Sequence, residues 1–231
     1  SCMIRLPGVE WRREARVGVT GVWVVGVMPD EKVWDLLRAA VQDSSPVPVS
    51  VPWDVSGGLD WWRGKARESM FSESATSPGS WSADEDAFRL SAFLDACRDD
   101  SEHVEALRDA VMDQFPSDGE EGLFVAVARK AGPFSALAYA LGPDAVLRLP
   151  GWFGDFLLDA EQVRAQLPAA EEALALTGAQ RRDAVERIHA WMTGLGDDPD
   201  HHADELLDGP LRVLRHAART GQAAAAHVRW Y

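Results

Sequence analysis

The chain has 231 residues, of which 46% are hydrophobic and 26% charged, and it carries a formal net charge of −14. That balance excludes a disordered chain and supplies enough apolar side chains for a sizeable core, as one large domain or two smaller ones sharing an interface. A chain this acidic repels phosphate backbones and anionic membranes, so no nucleic acid and no membrane partner is expected.

The charge is unevenly placed. Residues 82–121 hold thirteen acids against three Arg, and residues 195–208 hold six acids with no Lys or Arg. Lys occurs three times against 20 Arg, and Asn is absent. That bias points to a GC-rich, bacterial genome. Two cysteines, Cys2 and Cys97, make no disulfide framework and no cysteine zinc site, which fits a reducing, cytoplasmic compartment.

Taken in chain order, Arg12, Arg13 and Arg16 precede an apolar run over 17–28 that superficially resembles a secretory leader. Glycines at 18, 21 and 26 break the run, and it is too short to span a bilayer, so its Val-rich composition predicts one strand or two short ones. Asp30 opens a helix with Val33, Trp34, Leu37 and Val41 on its core face. Val47 to Trp53 carries prolines at 46, 48 and 52 and is an edge strand at best. Residues 54–81 lack a period and read as a long loop, rich in Trp and then in Ser.

From residue 82 the pattern turns helical. Ser82 and Glu85 have capping-box spacing, and Leu90, Phe93, Leu94 and Cys97 share the inner face that follows. Ser101 caps the next helix, with Val104, Leu107, Val111 and Phe115 inward. Leu123 to Ala128 reads as a strand, and Pro133 opens a short helix that Gly142 and Pro143 end. Ala145 to Leu149 is a candidate strand, and 150–158 an aromatic turn. Beyond Asp159 the chain is helical, split at Pro168 and again near Gly209-Pro210. Thr177 and Gln180 form a second capping-box spacing, with Val185, Ile188, Met192 and Leu195 inward. The alternating end, Ala226 to Tyr231, can add a strand. The fold class expected is α+β. A β-containing part occupies residues 1–81 and a helix-rich part residues 82–231, and the two share one core or form a single domain.

No nucleophile elbow, phosphate loop, H-E-x-x-H, C-x-x-C or dinucleotide fingerprint occurs. No cofactor is therefore expected. Three groups of residues remain as candidates. Trp53, Trp61, Trp62 and Trp81 lie close together around Arg63, Lys65 and Arg67. Trp and Arg are the residues most enriched at binding hot spots, so this stretch reads as a recognition surface, with the Trp152 turn as a second aromatic cluster. The alternative is that the indoles anchor a long loop to the core and the cations pair with acidic helices. His201 and Glu205 have i, i+4 spacing suited to a metal ion, against the plainer reading of an acidic turn at a helix start. Cys97 and His103 can be drawn as nucleophile and base, but Cys97 sits on an apolar stripe and reads as a small hydrophobe.

These features favour a non-catalytic binding, inhibitor or immunity-type protein that meets a basic protein partner. An enzyme with an unfamiliar site, such as a metal-assisted hydrolase using His201 and Glu205, is the second reading. A structural or regulatory component of an assembly is the third.

Overall fold

The computed structural model describes residues 20–42, 55–98, 101–117, 121–197 and 202–231. Its elements, in chain order, are β1 (Gly21–Met28), α1 (Asp30–Gln42), α2 (Val55–Lys65), β2 (Phe71–Glu73), β3 (Trp81–Ala83), α3 (Glu85–Ala96), α4 (Glu102–Met112), β4 (Leu123–Ala128), α5 (Pro133–Leu141), α6 (Pro143–Val146), β5 (Phe156–Leu158), α7 (Ala160–Leu174), α8 (Gly178–Gly194), α9 (Ala203–Thr220) and β6 (Ala223–Trp230). The fold is α+β, as the sequence predicts. The main sheet runs β4-β1-β6-β5 with every pairing antiparallel, and β2 and β3 form a separate ribbon.

The Val-rich run becomes one central strand, buried along its whole length. It pairs with β4 on one side and with β6, at the other end of the chain, on the other. The sheet therefore draws on both parts of the sequence, and so does the main hydrophobic cluster, which joins Trp23 and Trp62 to Leu137, Ile188 and Leu214.

The two faces of the sheet have different covers. On one face Trp23, Val25, Phe124, Ala224, Ala226 and Val228 meet α5, α7 and α9, and α8 packs on the far side of α5. The alanines of β6 let helices approach closely, and Gly209 does the same on α9. A Cβ at Gly209 would lie 2.1 Å from the Phe124 ring. On the other face Met28, Ala223 and Ala225 meet Val33 of α1 and Val111 of α4, with Leu36, Leu37, Leu107 and Phe115 around them.

Several local expectations need correction. Trp34 is 56% exposed, because α1 turns Val33, Leu36 and Leu37 toward the sheet instead. Residues 54–81 hold the α2 helix and the β2–β3 ribbon rather than a loop. Ser82 is taken into β3, opposite Ser72, so Asp84 caps α3 and accepts from the Ala87 amide at 2.9 Å. Ser101 caps α4 as expected. Residues 145–149 are helix and turn, since Gly142 ends α5 with φ +79 and Pro143 starts α6 at once. Helices α7 and α9 run through Pro168 and Pro210 without a break. The burial of Val163, Ala170 and Leu174 in α7, and of the Leu206–Leu214 stripe in α9, outweighs the single amide bond each proline removes. Thr177 stands at the N-cap of α8, but its side chain makes no capping bond there. Strand candidate Val47 to Trp53 lies outside the described residues, and so does Trp53 itself.

Candidate functional site

The α8 helix shows one stripe to the core (Ala184, Ile188, Trp191, Met192) and another to the β3 strand and the start of α9. On the second stripe, Arg181, Val185 and His189 follow one another at helical spacing, with Arg182 and Glu186 beside them. Together with Trp81 from β3 and Asp204 from α9 they line an open groove of about 390 Å³.

Arg181 is fixed at one end of this groove. Its Nε and Nη2 donate to Asp204 Oδ1 at 3.0 and 2.6 Å, and its Nη1 and Nη2 donate to Asp208 at 2.9 and 2.7 Å. Two carboxylates thus hold one guanidinium, and the bonds to Asp208 and then Asp204 push its pKa further up. The remainder of the lining is an indole, a Val side chain, a partly buried imidazole, and the exposed Arg182 and Glu186. Such a site can take a flat or cationic head against the indole and a carboxylate beside it. The chain makes this kind of contact twice internally, with Arg89 stacked 4.2 Å from the Trp61 ring centroid and Arg187 4.1 Å from that of Tyr139.

The recognition residues expected from the sequence are dispersed. Trp62 is fully buried, its ring set edge-on to Phe93 at 6.3 Å, so it presents no surface to a partner. Trp61 is partly buried beneath Arg89. Arg63 donates to Asp60 at 3.1 Å and Asp144 at 3.0 Å, and Lys65 bridges Glu68 at 2.7 Å and Asp86 at 3.1 Å. Both cations are answered by the chain's own acids, which raises the pKa of each. Arg67 is exposed. Among the described residues of this group, Trp81 alone reaches the groove. Trp152 is 47% exposed, and its Nε1 donates to the Cys97 carbonyl at 2.9 Å.

Of the metal pair, His201 lies outside the described residues. Glu205 occupies the first turn of α9 and accepts from Arg212 at 3.2 Å. Among the described residues no group of three metal-binding side chains occurs. Cys97 is buried, and burial pushes its thiol up to about 12, which disfavours the thiolate a nucleophile needs.

A second charged assembly lies beneath α4 and was not foreseen. Arg108 donates to Glu105 and to Asp155, and the other oxygen of Asp155 accepts from the Val228 amide at 2.8 Å. Arg229 of β6 donates to Glu105 at 2.6 Å and to Asp109 at 2.7 Å. Between these guanidinia, His227 is 3% exposed and stacks on Phe115 at 6.2 Å. Among the described residues its Nδ1 has no hydrogen-bond partner. Burial, reinforced by the charges of Arg229 and Arg108, pushes the imidazole down to about 3. Burial also raises the Asp155 carboxyl, against the pull of Arg108. The assembly fastens α4 to β6. The only trace of it in the sequence is the His227 and Arg229 alternation of the last strand.

Among the described residues no helix is long and apolar enough to cross a membrane. Comparison with protein-family models, with curated proteins and with solved structures finds no match to this chain.

Proposed function

We propose that this protein is a non-catalytic binding module that recognises a basic protein partner at the groove between β3, α8 and α9. One observation carries this reading. Arg63, Lys65, Arg181, Arg215 and Arg219 are all held by carboxylates of the same chain, while Glu85, Glu102, Glu161, Asp183 and Glu186 are exposed, so the described surface offers acid to a partner. Complementary charge speeds encounter and fixes orientation, and an indole in one groove with the exposed Glu186 is suited to a partner's Arg or Lys. The same field disfavours nucleic acid.

The test begins with capture of a partner from extracts of the source organism at low salt, followed by affinity measurements on the purified pair. The captured protein is expected to be basic, and raising salt to about 0.5 M is expected to weaken binding by about tenfold or more. Trp81→Ala and Glu186→Lys are expected to weaken it comparably, with the thermal midpoint of each variant close to that of the parent. Binding that ignores both salt and the groove variants overturns the proposal.

A further inference from the structure

We propose that two copies of this chain associate through the β4 strand, which continues the sheet across a two-fold axis. The argument is independent of the groove. β4 is an edge of the main sheet, and among the described residues it exchanges ladder bonds only with β1. Its sequence, LFVAVA, contains no proline and no charge, the devices by which edge strands usually avoid pairing.

The side chains on the α4 side of β4 are Leu123, Val125 and Val127, which continue the row of Val22 and Val24 on β1. Leu123 and Val125 are half-buried and Val127 is 39% exposed. This row is flanked by Glu121 before the strand and Arg129 after it, both exposed.

A two-fold axis perpendicular to the sheet keeps each residue on its own face, so directly opposed residues must have numbers of the same parity. With Val125 on the axis, Val127 meets Leu123 of the second copy, and Glu121 and the second copy's Arg129, each just outside its strand, come to the same end of the pairing. The apolar row is covered and both ends close on opposite charges. Glu121 already accepts from His216 Nδ1 at 3.0 Å and Arg219 at 2.9 Å, both on Oε2, so Oε1 is available to the second copy's guanidinium. Asp197 accepts from the Arg129, Lys130 and Ala131 amides at 2.8, 3.2 and 3.3 Å, which fixes the chain where it leaves the strand. A pairing this short buries less than a standard interface, so a dissociation constant on the order of micromolar is expected.

Sedimentation velocity from low micromolar to about 200 µM measures it directly. The parent chain is expected to pass from monomer to dimer across that range. Val127→Lys is expected to remain monomeric. Glu121→Arg and Arg129→Glu are each expected to weaken association by about tenfold, and their combination to restore it. A Val125→Cys variant, made with Cys2→Ser, places two thiols face to face across the axis and is expected to form a covalent dimer on mild oxidation. That variant decides the matter if Val127→Lys fails to fold. A parent chain monomeric throughout the range, or a dimer indifferent to Val127→Lys and not captured by Val125→Cys, overturns the proposal.

Discussion

The two faces of the central sheet are held by different physics. One is an apolar layer in which β1 and β6 meet α5, α7 and α9 through alanines and large side chains. The other combines a small apolar patch with an ion network in which Arg108, Arg229, Glu105, Asp109 and Asp155 answer one another around an uncharged imidazole. Apolar burial is non-directional and stabilises in proportion to area. An ion network whose guanidinia are buried while its carboxylates reach the surface returns little net stability for its desolvation, but it ties the helix to the strand at fixed positions. The first face should therefore carry the stability of the fold and the second its response to pH.

The largest effect should come from emptying the apolar side. Trp191 is fully buried, edge-on to Phe71 at 5.8 Å and 5.5 Å from Tyr139. Trp191→Ala is expected to lower the unfolding free energy by about 4 kcal/mol in urea denaturation, through lost burial and the cavity left behind. Trp191→Phe should cost much less, because it keeps an aromatic ring and removes an indole N–H that has no partner among the described residues. If the two variants unfold alike, the apolar face does not carry the load assigned to it.

The ionic face should reveal itself in acid. The folded His227 is held down to about 3, below an ordinary value of 6.5. Between those values the unfolded chain binds the proton first, so stability is complete above about pH 6.5 and is lost as pH falls toward 3. The limiting slope is about 1.4 kcal/mol per pH unit. The raised Asp155 carboxyl has the opposite sign and partly offsets it, because its folded form takes up a proton more readily than its unfolded form. His227→Phe keeps the stack on Phe115 and should flatten the acid limb of a stability–pH curve. An unchanged limb would assign the acid response to the carboxylates instead.

The same contrast governs what the sequence made legible. Strands β1 and β4, the Ser101 cap and the Pro133–Gly142 bounds of α5 follow from composition and local backbone chemistry, and all are present. Helix α2 was not legible, because VSGGLDWWRGK carries two adjacent glycines and little apolar period. Its helix is imposed from outside, by Trp62 entering the core and by Gly58 lying where a Cβ would meet the Phe93 ring at 2.2 Å. The groove joins residues 81, 181–189 and 204, and no local window contains such a set. Of its members only Trp81 was singled out, for its indole. The spacing of Val185 reads as part of the inward face with Ile188 and Met192, whereas Val185 is half-buried and lines the groove between Arg181 and His189, so one apolar stripe serves both the core and the groove.

The smallest effect sharpens the comparison on the outer surface. Arg63 and Lys65 look like a basic patch in the sequence, yet each is clamped by two carboxylates at the surface. Exposed pairs of this kind contribute little to stability, because water and salt screen them and holding long side chains costs entropy. Arg63→Ala and Lys65→Ala should therefore leave the denaturation midpoint within error of the parent. They should also leave the affinity for a basic partner unchanged or slightly tighter, since each removes a positive charge and frees carboxylates. Weaker partner binding at an unchanged midpoint would return recognition to the α2 helix and take it away from the groove. Then Arg63 and Lys65 would have to exchange their internal carboxylates for those of a partner, and binding would weaken with salt despite the net charge of −14.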